Sequence, residues 1–310
     1  MADKEAMMLS EEQVKEQLEI LDRTNMHKNA AKERVIPENY LEYQTKVERT
    51  ERMLESVSTG VAVRCVFTKA VDCLKSMPIF INLHGGGFIH PQDSDDDLLC
   101  AHIANAIQGL VIDVDYAVTP DYVFPTAFEQ VWDVAEWVFA HAEELKADST
   151  RISIGGHSAG GALAAAVCLR AAKTGHMHFA LQILDYAALD NAMAFETAGN
   201  ERSRAFSTLY CGGNIRLLSS PYCSPVFASD EMLKNQPRTL VINAEFCPFR
   251  KITERYGQRL AQAGNEVAFK SYRGSAHGFT VRMTGAWQDA QELMIRYLRN
   301  SKVREVQEND

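Results

Sequence analysis

The chain has 310 residues, 46% of them hydrophobic, enough to bury one large core at a length that α/β folds often use as a single domain. A net charge of −9 leaves no basic footprint for nucleic acid and says little about the charge of a substrate. No uncharged apolar run approaches the roughly 18 residues of a membrane span, and the start Met1-Ala2-Asp3-Lys4-Glu5 lacks the basic and apolar segments of a secretory signal. Seven cysteines, an odd number scattered through apolar segments, form no disulfide framework, so a cytoplasmic, reducing location is expected.

Residues 10–57 are charged and helix-favouring, with Val14, Leu18 and Leu21 at helical spacing. Beyond residue 62 strands alternate with helices, the strands falling near 62–67, 78–83, 109–115, 151–155, 179–184, 238–243 and 265–272. Such alternation predicts a mainly parallel sheet with helices on both faces. The apolar strand Pro78–Leu83 runs straight into His84-Gly85-Gly86-Gly87, where backbone N–H groups can point at a substrate oxygen, as half of an oxyanion hole does. The acidic group Asp93, Asp95, Asp96 and Asp97 enters a helix at Leu98 and is explained by capping and the helix dipole; neither a metal nor a cofactor is expected.

The next strand, Arg151–Ile154, leads into Gly156-His157-Ser158-Ala159-Gly160 and the helical run Ala162–Leu169. In such a G-x-S-x-G turn the serine is exposed on a strained strand-to-helix bend, and the glycines are required because a Cβ would clash. Ser158 is therefore the candidate nucleophile. An insertion at about 190–234 carries Phe195, Phe206, Leu209, Tyr210, Leu217, Leu218 and Tyr222, which suit either a substrate pocket or the packing of a cap. The loop Ser275-Ala276-His277-Gly278-Phe279 follows the last strand, so His277 comes last in the order nucleophile, acid, base. His27, His141, His176 and His178 lie in polar segments and are expected at the surface, and Ser301–Asp310 reads as a polar tail.

On His84-Gly85-Gly86-Gly87, Ser158-Ala159-Gly160-Gly161, His277-Gly278-Phe279, Asp115-Tyr116-Ala117-Val118-Thr119-Pro120 and Phe124-Pro125-Thr126-Ala127, residues 60–298 resemble the hormone-sensitive-lipase-like carboxylesterases, a branch of the α/β hydrolases. The resemblance implies an α/β-hydrolase fold: one domain over 1–310, with a mostly parallel eight-stranded sheet, helices on both faces, and a helical cap from about 1–57 and 190–234. It implies Gly85, Gly86 and Ala159 as oxyanion donors, Ser158 as nucleophile and His277 as base and then acid. It also implies a small-molecule ester as the partner. Whether two copies pair as a homodimer through the eighth strand's edge is left open.

One position departs from that pattern. The segment after the seventh strand reads Ala244-Glu245-Phe246-Cys247-Pro248-Phe249-Arg250-Lys251-Ile252, with Cys247 where the family has its catalytic aspartate and Ile252 where it has a glutamate. A neutral thiol orients an imidazole poorly. Three substitutes remain open: Glu245, two residues earlier on the strand; Asp185, at the tip of the sixth strand; or Cys247 itself as a thiolate. Glu245 also reads as a structural carboxylate and Asp190 as a turn aspartate. His157 stands where the family more often has aspartate; it reads as a side chain packed beside the turn, with a role in charge near Ser158 as the alternative. The expected activity is hydrolysis of small, short-chain acyl esters through an acyl-serine, and the rival is a ligand-binding protein on an inactivated hydrolase scaffold. A third reading is an interaction protein with the cap as its contact surface.

Overall fold

The computed structural model describes residues 9–24, 36–193 and 201–303. His27, Phe195 and most of the C-terminal tail lie outside them. The strands are β1 (Val47–Leu54), β2 (Val63–Ala70), β3 (Met77–Leu83), β4 (Leu110–Asp115), β5 (Ala147–His157), β6 (Gln182–Asp185), β7 (Thr239–Phe246) and β8 (Val267–Ala276). They form one sheet in the order β1-β2-β4-β3-β5-β6-β7-β8. β1 and β2 pair antiparallel, as do β2 and β4; every other pairing is parallel. Among the described residues the α-helices are α1 (Glu11–Arg23), α2 (Glu38–Thr45), α3 (Ser94–Ile107), α4 (Thr126–Ala140), α5 (Ala159–Thr174), α6 (Glu201–Tyr210), α7 (Arg250–Gln262) and α8 (Trp287–Arg299).

The pleat of β3 sorts its side chains to two faces. Ile79, Ile81 and Leu83 join α4, α5 and α7 in one apolar layer. Phe80 points the other way, into a layer built from Tyr40 of α2, α3 and α8. All seven β3 residues are buried, as a parallel strand covered on both sides requires. The acidic entry to α3 is a capping box: the Asp93 side chain accepts from Asp95 N, and Asp93 N donates to Asp96. No helix among the described residues is long and apolar enough to cross a membrane.

Two expectations are corrected here. Residues 47–54 form an edge strand, in register with β2 from Val47 opposite Ala70 to Leu54 opposite Val63, although the sequence favours helix. Six of its eight side chains are exposed, so the strand has no apolar alternation to betray it, and its pairing comes from β2 and ion pairs such as Arg64–Glu51 at 2.6 Å. Residues 38–54 therefore do not belong to the expected cap, because α2 and β1 belong to the sheet layers. Only α1 leaves them. It packs on α6 through Leu21, Ala205 and Leu209, and Arg23 forks onto Glu201 with two bonds of 2.9 and 2.7 Å.

Candidate active site

Parallel strands end together at one edge of the sheet, and β5 ends there in the turn that carries Ser158. Ser158 has φ 55° and ψ −112°, a conformation costly for a side chain with a Cβ. Its N–H donates to Asp185 O at 3.0 Å, and its carbonyl accepts from Ala188 at 2.9 Å and Ala162 at 3.2 Å, which fix the bend. The flanking glycines have no room for a side chain. A Cβ on Gly160 would lie 2.1 Å from Leu83 O, and one on Gly156 would lie 2.5 Å from Gly160 C.

His277 follows β8 and reaches Ser158, with Nε2 2.9 Å from Oγ. That distance suits transfer of the serine proton to the ring. Tyr186 and Phe249 meet the imidazole edge-on at 4.9 and 5.3 Å and hold its plane. On the other side, Cys247 Sγ lies 3.2 Å from Nδ1. Burial pushes the Cys247 thiol up to about 12, so it is neutral near pH 7.

The two carboxylates considered as substitutes are engaged elsewhere. Glu245 Oε2 accepts from Gly274 N at 2.8 Å, tying β7 to the β8 strand beside it. Asp185 Oδ2 lies 2.8 Å from His157 Nδ1. Beyond it the chain of contacts continues, with His157 Nε2 3.3 Å from Asn82 Oδ1 and Asn82 Nδ2 donating to Asp113 at 2.7 Å. All four side chains are buried. Both His157 nitrogens thus have polar partners, Asp185 on one side and Asn82 on the other. Burial raises the Asp185 carboxyl while His157 opposes the rise, and burial pushes Asp113 up to about 7. His157 is thus bonded into the strand ends rather than merely packed beside the turn. Asn82 and Asp113 escaped the sequence reading; the signal was a polar residue near the end of each of several adjacent apolar strands.

The glycine loop expected to supply oxyanion donors lies against the Ser158 turn. Gly85 packs against the nucleophile turn, its Cβ position 3.7 Å from Ser158 Cβ, and Gly86 has φ 119°, which favours glycine. Ala159 opens α5 and is fully buried. Tyr116 fixes the loop's base by donating to His84 O at 2.7 Å and stacking on the His84 ring at 4.0 Å. Burial holds His84 down at about 4, so that ring is neutral. Asp190 caps a turn, accepting from Ala192 and Met193 N at 3.0 and 2.9 Å. A cavity of about 460 Å³ lies elsewhere, lined by Asn105, Arg151 and Arg299 near the amino end of β5. Its guanidiniums already bond carbonyls, Arg299 to Ala106 O and Arg151 to Arg299 O.

A strand-turn serine backed by a histidine, on a sheet of this order, defines an α/β hydrolase, and the chain belongs to the alpha/beta hydrolase fold family, whose profile matches residues 80–281. Among characterised relatives, it is 31% identical over 213 residues to Esterase LipI of Mycobacterium tuberculosis, covering 65% of each chain. It is 29% identical to an arylesterase of Saccharolobus solfataricus, over 65% of this chain and 68% of that one. The alignments thus span about two thirds of those relatives' lengths. Among solved structures, carboxyl esterase 2 from the mycorrhizal fungus Tuber melanosporum is similar, with TM-score 0.76, 27% identity, and coverage of 83% of this chain and 89% of that one.

Proposed function

We propose that the chain is a serine carboxylesterase acting on small, short-chain acyl esters, with a triad weakened at its acid. The observation that carries this reading is the 2.9 Å contact between Ser158 Oγ and His277 Nε2 at the end of a strained turn. Ser158 Oγ attacks the ester carbonyl while its proton passes to His277 Nε2. The oxyanion that develops takes N–H groups from Gly85, Gly86 and Ala159, donors of the kind worth about 10²–10³ each in kcat. The alkoxide leaves with the proton from Nε2, and water then hydrolyses the acyl-serine by the same route reversed. Phe206 supports a short acyl group: its ring lies against Gly87, filling the space beside the loop that would supply the oxyanion donors.

The sulfur at Nδ1 limits the rate. For Nε2 to accept the serine proton, Nδ1 must carry hydrogen and donate it to a neutral sulfur, a weak acceptor. If the S–H donates to Nδ1 instead, Nε2 carries the hydrogen and cannot take one from Ser158. Relatives named esterase support ester hydrolysis. The test is a fluorophosphonate probe combined with hydrolysis of 4-nitrophenyl butyrate. Labelling of Ser158 and turnover that both vanish in Ser158→Ala support the enzyme; an inert serine with tight small-molecule binding supports the ligand-binding alternative that Cys247 favours.

A further inference from the structure

Two guanidiniums and an imidazole converge beside the Ser158–His277 pair from three separate elements. Arg282 follows the histidine loop and lies along it: its Nε, Cζ and Nη1 are each 3.3 Å from where a Gly278 Cβ would stand, one residue beyond His277. Arg202 of α6 stacks over Phe206 at 4.9 Å, and Phe206 lies against Gly87 of the oxyanion loop. His90 continues that loop and closes on Gly86, whose Cβ position is 2.9 Å from His90 Cβ. Arg202 has one nitrogen committed, Nη1 donating to Leu21 O at 2.6 Å. Arg282 forms no ion pair among the described residues and is exposed.

The two guanidiniums and the His90 ring feel one another. Burial and then Arg282 hold Arg202 below its ordinary value, and burial, Arg202 and Arg282 hold His90 down. The opposing charge at His90 is Asp93, which is already spent on capping α3. Glu201, the acidic residue on α6 beside them, is taken by Arg23. A chain of net charge −9 thus places, among the described residues, the unpaired positive charge of Arg282, with Arg202 behind it, at the rim of this candidate site. Such a field concentrates anions and orients them.

We infer that this site selects esters whose alcohol portion carries a carboxylate, with Arg282 as the residue that receives it. Arg282 lies along the histidine loop and its charge reaches Tyr186, which meets the His277 ring edge-on; His277 hands its proton to the leaving oxygen, so a charge on this side is assigned to the alcohol portion. The reaction balances as for any ester: the acyl–oxygen bond breaks, the Ser158 Oγ–acyl bond forms, and the serine proton reaches the departing alkoxide through Nε2. The carboxylate takes no part in the chemistry. Its charge-assisted pairing with a forked guanidinium fixes the leaving group beside His277.

This inference rests on the esterase reading, and its test separates the two. The kcat/KM ratio of 4-acetoxybenzoate to its neutral analogue 4-acetoxybenzamide is measured for the full chain, Arg282→Gln and Arg282→Lys. A preference of about tenfold for the anion is expected at low salt, falling toward one in Arg282→Gln and as ionic strength rises from about 0.01 to 0.3 M, with part retained in Arg282→Lys. Calorimetric binding of the two compounds to Ser158→Ala, with and without Arg282→Gln, repeats the comparison without turnover. Anion preference in binding but no turnover by the full chain supports the anion site and overturns the esterase reading. Turnover of both esters with a ratio near one, or a ratio that Arg282→Gln leaves unchanged, overturns the inference.

Discussion

Replacing Cys247 with aspartate places an anion where the neutral sulfur now sits, 3.2 Å from His277 Nδ1. The imidazolium formed in the transition state would then face a carboxylate about 4 Å away, worth about 4 kcal/mol at an effective dielectric of about 20. That corresponds to about 10³ in rate, and the same carboxylate fixes the tautomer that lets Nε2 accept. Removing the acid from a protease triad costs about 10⁴, and the new carboxylate must be desolvated at a site where the native side chain is 7% exposed, so about 10³ is the expected gain. The assay is kcat/KM on 4-nitrophenyl butyrate for the native chain and Cys247→Asp, with Ser158→Ala as the blank. A rate that stays flat or falls while the variant remains folded would refute the argument, because it would mean that something other than residue 247 already orients His277.

Glu245→Gln should leave kcat/KM within about twofold, as for a substitution away from the chemistry, because Glu245 serves Gly274 N rather than the imidazole; a loss of a hundredfold would make it the missing acid. His157→Ala should cost about 3–5 kcal/mol in urea denaturation, because it strands the Asp185 carboxylate in the core. Asp113→Asn should stabilise the fold more at pH 8 than at pH 5. The folded carboxyl, up at about 7, binds protons that the unfolded chain releases near 3.9, so native stability falls as pH rises through that window and the amide escapes the fall. Urea midpoints at the two pH values check this, and equal gains at both would contradict it. Gly160→Ala should abolish folding at 37 °C, judged by circular dichroism, since its Cβ would meet two carbonyl oxygens at 2.1 and 2.4 Å.

The parts of the site that were legible in the sequence are those whose geometry is local. A strand, a glycine-flanked serine and a helix occupy consecutive residues, so Ser158, the Gly85–Gly87 loop and the capped entry at Asp93 could be read directly. The Asp185–His157 contact could not, because it crosses from β6 to β5 and depends on the register that sets His157 beside Asp185. The partners of the two acid candidates were equally hidden, because Asp185 meets His157 across strands and Glu245 accepts from the backbone of β8. β1 failed for the opposite reason. Its sequence, Val-Glu-Arg-Thr-Glu-Arg-Met-Leu, satisfies helix propensity locally, and only its partner β2 makes it a strand. The convergence of Arg202, Arg282 and His90 was invisible because they are far apart in the chain and meet only through glycines and Phe206.

The charged outer face of β1 has a consequence for how molecules of this protein meet. Glu48, Arg49, Thr50, Glu51 and Arg52 line one border of the sheet, all of them exposed, and such a border resists the addition of another backbone. The opposite border, β8, exposes Phe269 at 45% among fewer charges. Growth of the sheet from molecule to molecule is therefore blocked on one side. If two copies join along β8 about a two-fold axis, the pair presents only the β1 borders outward, and association stops at two instead of running on into a fibre.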